Sequence, residues 1–223
     1  MKQVILASFI LLTTFIHAQV EKNVGDFKEL KVYDLIEVEL IKSDKNQVVI
    51  SGENTGDVVI VNKNEVLKIK MNLPKIFDGN ETTVKLYYTN VDIIDANEGA
   101  FVSSSDPISQ FEIDVRAQEG GHIKVIVEDM TFVEAKAVTG GKIQLSGTTK
   151  SQNIKLTTGG IYESDELISE MAKVNIKAAG EAHISATEEI DVKVKAGGTV
   201  YIHGTTKKLV EKIALGGKII YKD

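Results

Sequence analysis

A glycine-glycine step that recurs about every 20 residues is the feature that most constrains the fold of this chain. Seven stretches open with this step or with a variant of it, and they read EGAFVSSSD from Glu98, EGGHIKVIV from Glu119, TGGKIQLSG from Thr139, TGGIYESDE from Thr158, AGEAHISAT from Ala179, AGGTVYIHG from Ala196 and LGGKIIYKD from Leu215. Their leading glycines are separated by 21, 20, 19, 21, 17 and 19 residues. Self-similarity at a period of this length is the signature of a repeat architecture.

A second element fills the interval between successive glycine steps. It reads NIKLTTGG from Asn153, NIKAAGEA from Asn175, DVKVKAGG from Asp191 and EKIALGGK from Glu211. Within these elements apolar and polar residues alternate, as in Val192 and Val194 with Lys193 between them. A period of two is typical of a strand that is buried on one side, so we expect the β-branched side chains inside and the lysines outside. Each coil therefore carries at least two short strands.

These patterns predict an all-β fold, a parallel β-helix-like solenoid with coils of about 20 residues that stack at about 4.8 Å. The glycines then form sharp corners, at which positive φ is often needed. The predicted corner glycines are Gly120, Gly121, Gly140, Gly141, Gly159, Gly160, Gly180, Gly197, Gly198, Gly216 and Gly217. A β-sandwich is the alternative, since it also has short strands at regular spacing. We favour the solenoid because the repeated unit is longer than one strand.

The N-terminal third contains strands without the glycine step. Five segments read as strands and are separated by polar turns: 37–41, 47–51, 58–61, 67–71 and 83–88. We expect them to continue into the coil stack, with a boundary between residues 72 and 82. The predicted organisation is an N-terminal β-strand region over 19–82 and a coil stack over 83–223, or one continuous domain over 19–223. A single helical turn is expected within 165–173.

The first 18 residues have the layout of a secretory signal peptide. Lys2 is followed by an apolar run over 4–16, and Ala18 supplies a small residue before a cleavage site. The run is too short to span a bilayer, and no later run is long enough. We therefore expect export to the periplasm or the cell exterior. The chain has no cysteine, so we expect neither disulfides nor a lipoprotein anchor.

The charge of the chain restricts its partners. Lys and Arg total 26 and Asp and Glu total 32, which gives a net charge of −6. An acidic surface with interspersed charges disfavours nucleic acids and anionic membranes as partners.

The order of motifs resembles the "Putative auto-transporter adhesin, head GIN domain" family of exported bacterial proteins. The resemblance covers nearly all of the chain after residue 18. It rests on the opening FKELKV from Phe27, VVISGE from Val48, VLKIKM from Val66, the glycine-led coils and the ending GGKIIYK from Gly216. It implies a β-helix-like solenoid with an adhesin-like role, and it supplies no set of catalytic residues.

Candidate chemical groups are few. Acidic clusters occur at Glu163, Asp165, Glu166 and Glu170, and at Glu188, Glu189 and Asp191. Paired carboxylates serve glycosidases, but we interpret these as solvated loop charges and predict that the chain is not an enzyme. The coils lack the aspartate and third glycine of calcium-binding β-rolls. We expect no cofactor. Tyr87, Tyr88, Tyr162 and Tyr201 are the candidate aromatic platforms for a glycan.

The histidines also give no predicted metal site. His122 and His183 each precede an isoleucine, which suggests equivalent places in coils three rungs apart, about 14 Å at regular spacing. That distance is too great for a shared metal ion. His203 follows Ile202 and is expected in a different phase of its coil.

The sequence thus predicts a binding module that presents a polar strand face to a glycan or another cell-envelope partner, with no identified ligand-binding residues. A self-associating envelope scaffold is the alternative, because the coil ends would allow homo-oligomers. A glycan lyase or hydrolase is the third hypothesis.

Overall fold

The structure, a computed structural model, describes residues 20–222, so the predicted signal peptide lies outside the described residues. The strands are β1 (Val20–Asn23), β2 (Glu29–Val32), β3 (Glu37–Lys42), β4 (Gln47–Gly52), β5 (Val58–Lys63), β6 (Val66–Met71), β7 (Thr82–Tyr88), β8 (Ile93–Ala96), β9 (Phe101–Ser104), β10 (Glu112–Gln118), β11 (His122–Val138), β12 (Lys142–Thr157), β13 (Gly160–Ile176), β14 (Gly180–Val194), β15 (Thr199–His203), β16 (Lys208–Ile213) and β17 (Lys218–Lys222). Two short 3-10 turns lie at Thr55–Asp57 and Leu73–Lys75. Across residues 20–222, no helix has the length and apolar character needed to cross a bilayer.

The strands stack as two sheets that share the long strands β11–β14. Sheet 1 runs in the order β1, β4, β7, β3, β9, the first halves of β11–β14, β15 and β17. Sheet 2 runs in the order β5, β6, β2, β8, β10, the second halves of β11–β14 and β16. From β6 and β7 onward the pairing is parallel. The predicted solenoid is confirmed, with about six turns of about 20-residue coils, and a β-sandwich of antiparallel strands is not what forms.

Inward side chains from successive coils form columns that fill the space between the sheets. In sheet 2 one column, in which each member opposes the next, consists of Val115, Ala135, Ile154, Val174 and Val192. All five are buried. The outward neighbours on the same strands include exposed lysines such as Lys136 and Lys155. The alternation read from the sequence therefore sorts side chains between the core and the surface.

The five strands predicted in the N-terminal third are present as β3, β4, β5, β6 and β7. They join the sheets, but not in chain order. The rung formed by β2 and β3 lies between the rung of β6 and β7 and the rung of β8 and β9. The antiparallel strands β4 and β5 cover the outer edges of β7 and β6. The division of the chain at residue 82 remains a prediction.

The two glycines of a corner meet different physical demands. Gly140 has a φ of +72°, in the left-handed region that glycine enters most readily. Gly141 has no such φ, but a Cβ atom there would lie 2.0 Å from the carbonyl oxygen of Ala117 in the preceding coil. The other predicted corner glycines lie in the corresponding turns or, for Gly160 and Gly180, begin the strand that follows: Gly120, Gly121, Gly159, Gly160, Gly180, Gly197, Gly198, Gly216 and Gly217.

One alignment made from the sequence is wrong by one residue. Gly180 opposes Gly160, which is a second glycine, so Ala179 holds the leading position in that coil. Measured between second positions, at 121, 141, 160, 180, 198 and 217, the repeat is 20, 19, 20, 18 and 19 residues. The second glycine is therefore the more regular marker of the coil, and aligning the coils on it changes which outward side chains become neighbours.

Candidate ligand-binding cleft

A cleft of about 850 Å³ crosses the outer surface of sheet 1. We call it the polar cleft, and its walls include Phe101 and the polar side chains Ser103, Ser104, Ser105, Lys124, Gln144, Ser146, Glu163, Asp165, Glu166, Glu181 and His183. These residues come from β9, the segment after it, and the first halves of β11–β14. The outward positions of the coils therefore converge on one surface, because successive rungs align in register.

Hydrogen bonds connect the side chains along the middle of the polar cleft. Gln144 accepts a bond from His122 Nε2 at 2.7 Å and donates its amide to Glu163 at 3.0 Å. Glu163 also pairs with Lys142 at 2.8 Å. Burial lowers the pKa of His122, so this ring is neutral at pH 7 with a proton on Nε2. The amide and carboxylate groups are thus held in place before any ligand binds.

The far end of the polar cleft contains a second ordered group, centred on His183. Its Nε2 atom lies 2.9 Å from a carboxylate oxygen of Glu181. Its ring stacks on Tyr201 with centroids 4.3 Å apart and an interplanar angle of 21°. Its Nδ1 atom lies 3.1 Å from Nε2 of His203. Contacts on three sides therefore fix the orientation of the His183 ring.

A bulge in β13 overhangs this end of the cleft. Glu163 opposes His183 and Ile168 opposes Ser185, so four residues of β13 face a single residue of β14. Ser164 turns inward, where its hydroxyl accepts a bond from the backbone N–H of Leu145 at 2.8 Å. Asp165 and Glu166 are exposed on the bulge. The extra residues thus project two carboxylates over a shorter coil.

The prediction of a helical turn within 165–173 is wrong, because this segment is part of strand β13. The spacing of its apolar residues imitates a helix, but Leu167 and Ala172 point inward while Ile168 and Met171 are exposed by 46% and 47%. The helix-like spacing of these apolar residues arises because β13 bends from sheet 1 into sheet 2 within this segment, and not because the segment is helical.

The predicted placement of the histidines is wrong. His122 opposes Lys142, which opposes Ile161, which in turn opposes Glu181. The residue of β14 equivalent to His122 is therefore Glu181, and His183 lies two residues further along that strand. His203 lies two residues beyond Tyr201, the partner of His183, and therefore on the same outward side. Within residues 20–222, the group with metal-ligating geometry is Asp165, His183 and His203, whose donor atoms lie within 4.8 Å of one another.

The remaining candidate residues lie in different surroundings. Glu188 and Glu189 form surface ion pairs with Lys207 and Lys208 at 2.7 and 3.0 Å. Tyr162 and Tyr88 belong to the core, and burial raises the pKa of Tyr88 to about 12. Of the four tyrosines proposed as platforms, Tyr201 is the one stacked in the His183 group.

The sequence profile of the family described as "Putative auto-transporter adhesin, head GIN domain" matches residues 26–206. The chain belongs to this family. The resemblance noted from the motifs is thereby confirmed, and the family is adhesin-like by its description. No curated protein matches the sequence.

Solved structures share the fold at low sequence identity. A Bacteroides fragilis protein described as a putative adhesin has a TM-score of 0.83 and 14% identity, covering 94% of this chain and 98% of its own. A Parabacteroides merdae protein with the same description has a TM-score of 0.68 and 15% identity over 92% and 96%. A Parabacteroides distasonis protein described as a putative lipid binding protein has a TM-score of 0.60 and 17% identity over 92% and 93%.

Proposed function

We propose that the chain is an exported, non-enzymatic binding protein of adhesin type whose polar cleft binds a cell-envelope glycan. The observation that carries this proposal is the cleft itself, which spans β9 and the first halves of β11–β14. Five strands spaced at about 4.8 Å give a length of about 19 Å, which suits an extended oligosaccharide. Concave surfaces with a few convergent polar groups are where ligands usually bind.

The chemistry of the polar cleft suits sugar hydroxyls. Ser103 and Gln144 offer hydroxyl and amide groups that both donate and accept hydrogen bonds, and Glu163 offers a carboxylate that accepts them. Phe101 lines the cleft and packs on His122 at 4.8 Å, which gives an apolar surface for a sugar ring. Carboxylates outnumber the single lysine in the lining, so we expect neutral or amino sugars, and not uronic acids, as ligands.

Sheet 2 presents a different outer surface. Its exposed lysines include Lys136, Lys155 and Lys193, which are outward residues of the alternating strands. The cleft found there measures about 310 Å³ and is lined by residues such as Asp92, Glu112 and Phe132. The polar cleft on sheet 1 is larger than this cleft and offers more kinds of polar group, so it is the better candidate for the ligand-binding site.

A matched pair of variants tests this choice of face. Lys124→Ala with Gln144→Ala removes one lysine of β11 and one amide of β12 from the polar cleft. Lys136→Ala with Asn153→Ala removes the same groups from the same strands on sheet 2. Losing two hydrogen bonds costs about 1–3 kcal/mol, so we expect at least a roughly fivefold weaker affinity for the first variant only. The measurement is binding to a glycan array, followed by titration of the glycans that bind.

Three outcomes of that experiment would count against the proposal. They are binding to no glycan by the wild type, equal losses in both variants, and a preference for uronic-acid polymers. Release of new reducing ends from a bound glycan would instead support the enzyme hypothesis.

The scaffold alternative depends on the last coil. Leu215 and Tyr221 are 82% and 64% exposed there, which favours association with a second copy. However, Glu211 opposes the inward Val192 and so continues that column at the edge of the sheet, where its side chain is exposed. An inward-pointing charge on an edge strand discourages further pairing. Glu211 therefore weakens the case for end-to-end stacking.

We expect Glu211→Val to make the chain self-associate, because it extends the apolar column to the exposed edge of β16. Lys212→Val is the control, since Lys212 neighbours it on the strand and opposes the outward Lys193. Light scattering across a concentration series measures the mass. A wild-type protein that already forms linear oligomers would favour the scaffold. A Glu211→Val variant that stays monomeric would contradict the proposal that this glutamate prevents end-to-end association.

A further inference from the structure

Three successive strands bring a carboxylate and two imidazoles together at the end of the polar cleft. Asp165 lies on the β13 bulge, His183 on β14 and His203 at the end of β15. Their donor atoms all lie within 4.8 Å of one another. Residues 38 positions apart in the chain thus meet because the coils stack. We propose that these three side chains bind a divalent transition-metal ion of the Zn²⁺ type.

The spacing of the two nitrogens fits one metal ion. Zinc–nitrogen bonds of about 2.0–2.1 Å at tetrahedral angles place two ligating nitrogens about 3.3 Å apart. His183 Nδ1 and His203 Nε2 are 3.1 Å apart. The carboxylate of Asp165 belongs to the same group of donor atoms within 4.8 Å, and it is exposed on the bulge, where its side chain is free to turn toward the ion. The pair therefore requires no change in the backbone of β14 or β15 to bind the ion.

The surroundings of His183 prepare it as a ligand. Its Nε2 atom faces Glu181 at 2.9 Å, so the proton lies on Nε2 and Nδ1 has a free lone pair. A carboxylate behind a ligating histidine is the usual supporting contact in zinc sites, since it fixes the tautomer and orients the ring. Stacking on Tyr201 at 4.3 Å restricts the ring further.

The ligand set favours transition metals over calcium and magnesium. Two of the three donors are imidazole nitrogens, which suit Zn²⁺, Ni²⁺ or Cu²⁺, whereas Ca²⁺ and Mg²⁺ require oxygen ligands. Three protein ligands leave a coordination position open, as in zinc sites that also bind a further molecule. Asp165 and His183 also line the polar cleft, so a bound ion would lie at the edge of the proposed glycan surface. The metal site itself does not depend on that glycan.

The competing interpretation is a direct hydrogen bond between the two histidines, with no ion between them. Two neutral imidazoles form such a bond when one donates and the other accepts. In that case the chain would bind Zn²⁺ no better than other surface histidines do. Titration with the metal alone distinguishes the two interpretations.

The test uses the purified chain without a polyhistidine tag, titrated with ZnCl₂ in a calorimeter. We expect one Zn²⁺ per chain and at least tenfold weaker binding for His203→Ala and for Asp165→Asn. His122→Ala and Glu166→Gln are the controls, because His122 lies elsewhere on sheet 1 and Glu166 adjoins Asp165 on the bulge. Both controls should bind like the wild type.

Cobalt substitution gives a second readout, since Co²⁺ in a tetrahedral nitrogen and oxygen site has a strong visible absorption. We expect that absorption in the wild type and its loss in His203→Ala. Thermal melts without metal check that each variant folds, and added Zn²⁺ should raise the melting temperature of the wild type and of the two controls but not of His203→Ala or Asp165→Asn. Absence of stoichiometric binding by the wild type, or equal losses in His122→Ala, would overturn the proposal.

Discussion

Replacing Gly141 by alanine is expected to destabilise the protein by about 3 kcal/mol, the upper end of the usual cost of overpacking. The new Cβ atom would lie 2.0 Å from the carbonyl oxygen of Ala117 and 2.4 Å from its carbonyl carbon. Both atoms belong to the backbone of the preceding coil, so no side-chain rotation relieves the contact. The turn must move away from that coil, which strains the hydrogen bonds between the rungs on each side.

Gly140→Ala is the matched control, because the two glycines adjoin in the same corner. An added Cβ at Gly140 meets nothing within 4 Å, and its cost comes from a φ of +72° alone. A left-handed conformation costs an alanine about 1–2 kcal/mol. Chemical denaturation of both variants measures the difference. Equal free energies of unfolding for the two variants would show that the close approach at Gly141 is unimportant.

Tyr162→Ala is expected to cost about 3–5 kcal/mol of stability, as deletion of a fully buried aromatic side chain usually does. Tyr162 is buried in sheet 1, and its hydroxyl donates to Oε1 of Gln152 at 2.7 Å. Gln152 is itself buried and donates to Ser169 at 2.9 Å. Burial raises the pKa of the Tyr162 hydroxyl, which keeps it protonated as a donor.

Tyr162→Phe separates the hydrogen bond from the volume of the ring. It leaves the Gln152 carbonyl oxygen buried without this donor, for which we expect a cost of about 1–3 kcal/mol. Tyr201→Phe is the surface control and should change stability by less than about 0.5 kcal/mol. Thermal or urea unfolding of the three variants measures the order of their stabilities. A Tyr162→Phe variant as stable as the wild type would show that the buried network contributes nothing.

The architecture of the coils could be predicted because it depends on local pattern. Alternation in segments such as 191–195 and the recurring glycines specify short strands, their inward sides and their corners. The same alternation implies an inward Gln152, two residues before the inward Ile154, although its partner Tyr162 comes from the next coil. A sequence pattern shows which way a side chain points but not what it meets there.

The polar cleft and the histidine pair could not be predicted in the same way. Their formation depends on the register between coils, and the sequence alignment used the leading glycines, which misplaced Gly180 by one residue. Aligning instead on Gly180 and Gly198 places Tyr201 opposite His183 and His203 two residues beyond it. The three extra residues of the β13 bulge, where 164–167 face Ile184 alone, had no sequence signal, because the apolar residues of this segment have helix-like spacing.

The N-terminal order was also outside the reach of the pattern. Alternation identified strands at 37–41 and 67–71, but the insertion of the β2 and β3 rung between two later rungs is a matter of long-range pairing. Several neighbouring orders would bury the same apolar side chains, so hydrophobic pattern alone does not choose among them.

A crystal structure of the protein with the glycan that the array identifies would locate the binding surface directly. We expect the sugar to lie along the outer surface of sheet 1, with hydrogen bonds to Gln144 and Glu163 and a ring near Phe101. A glycan bound instead to the lysine-bearing surface of sheet 2, or at the open end of the last coil, would contradict the proposed role of the polar cleft.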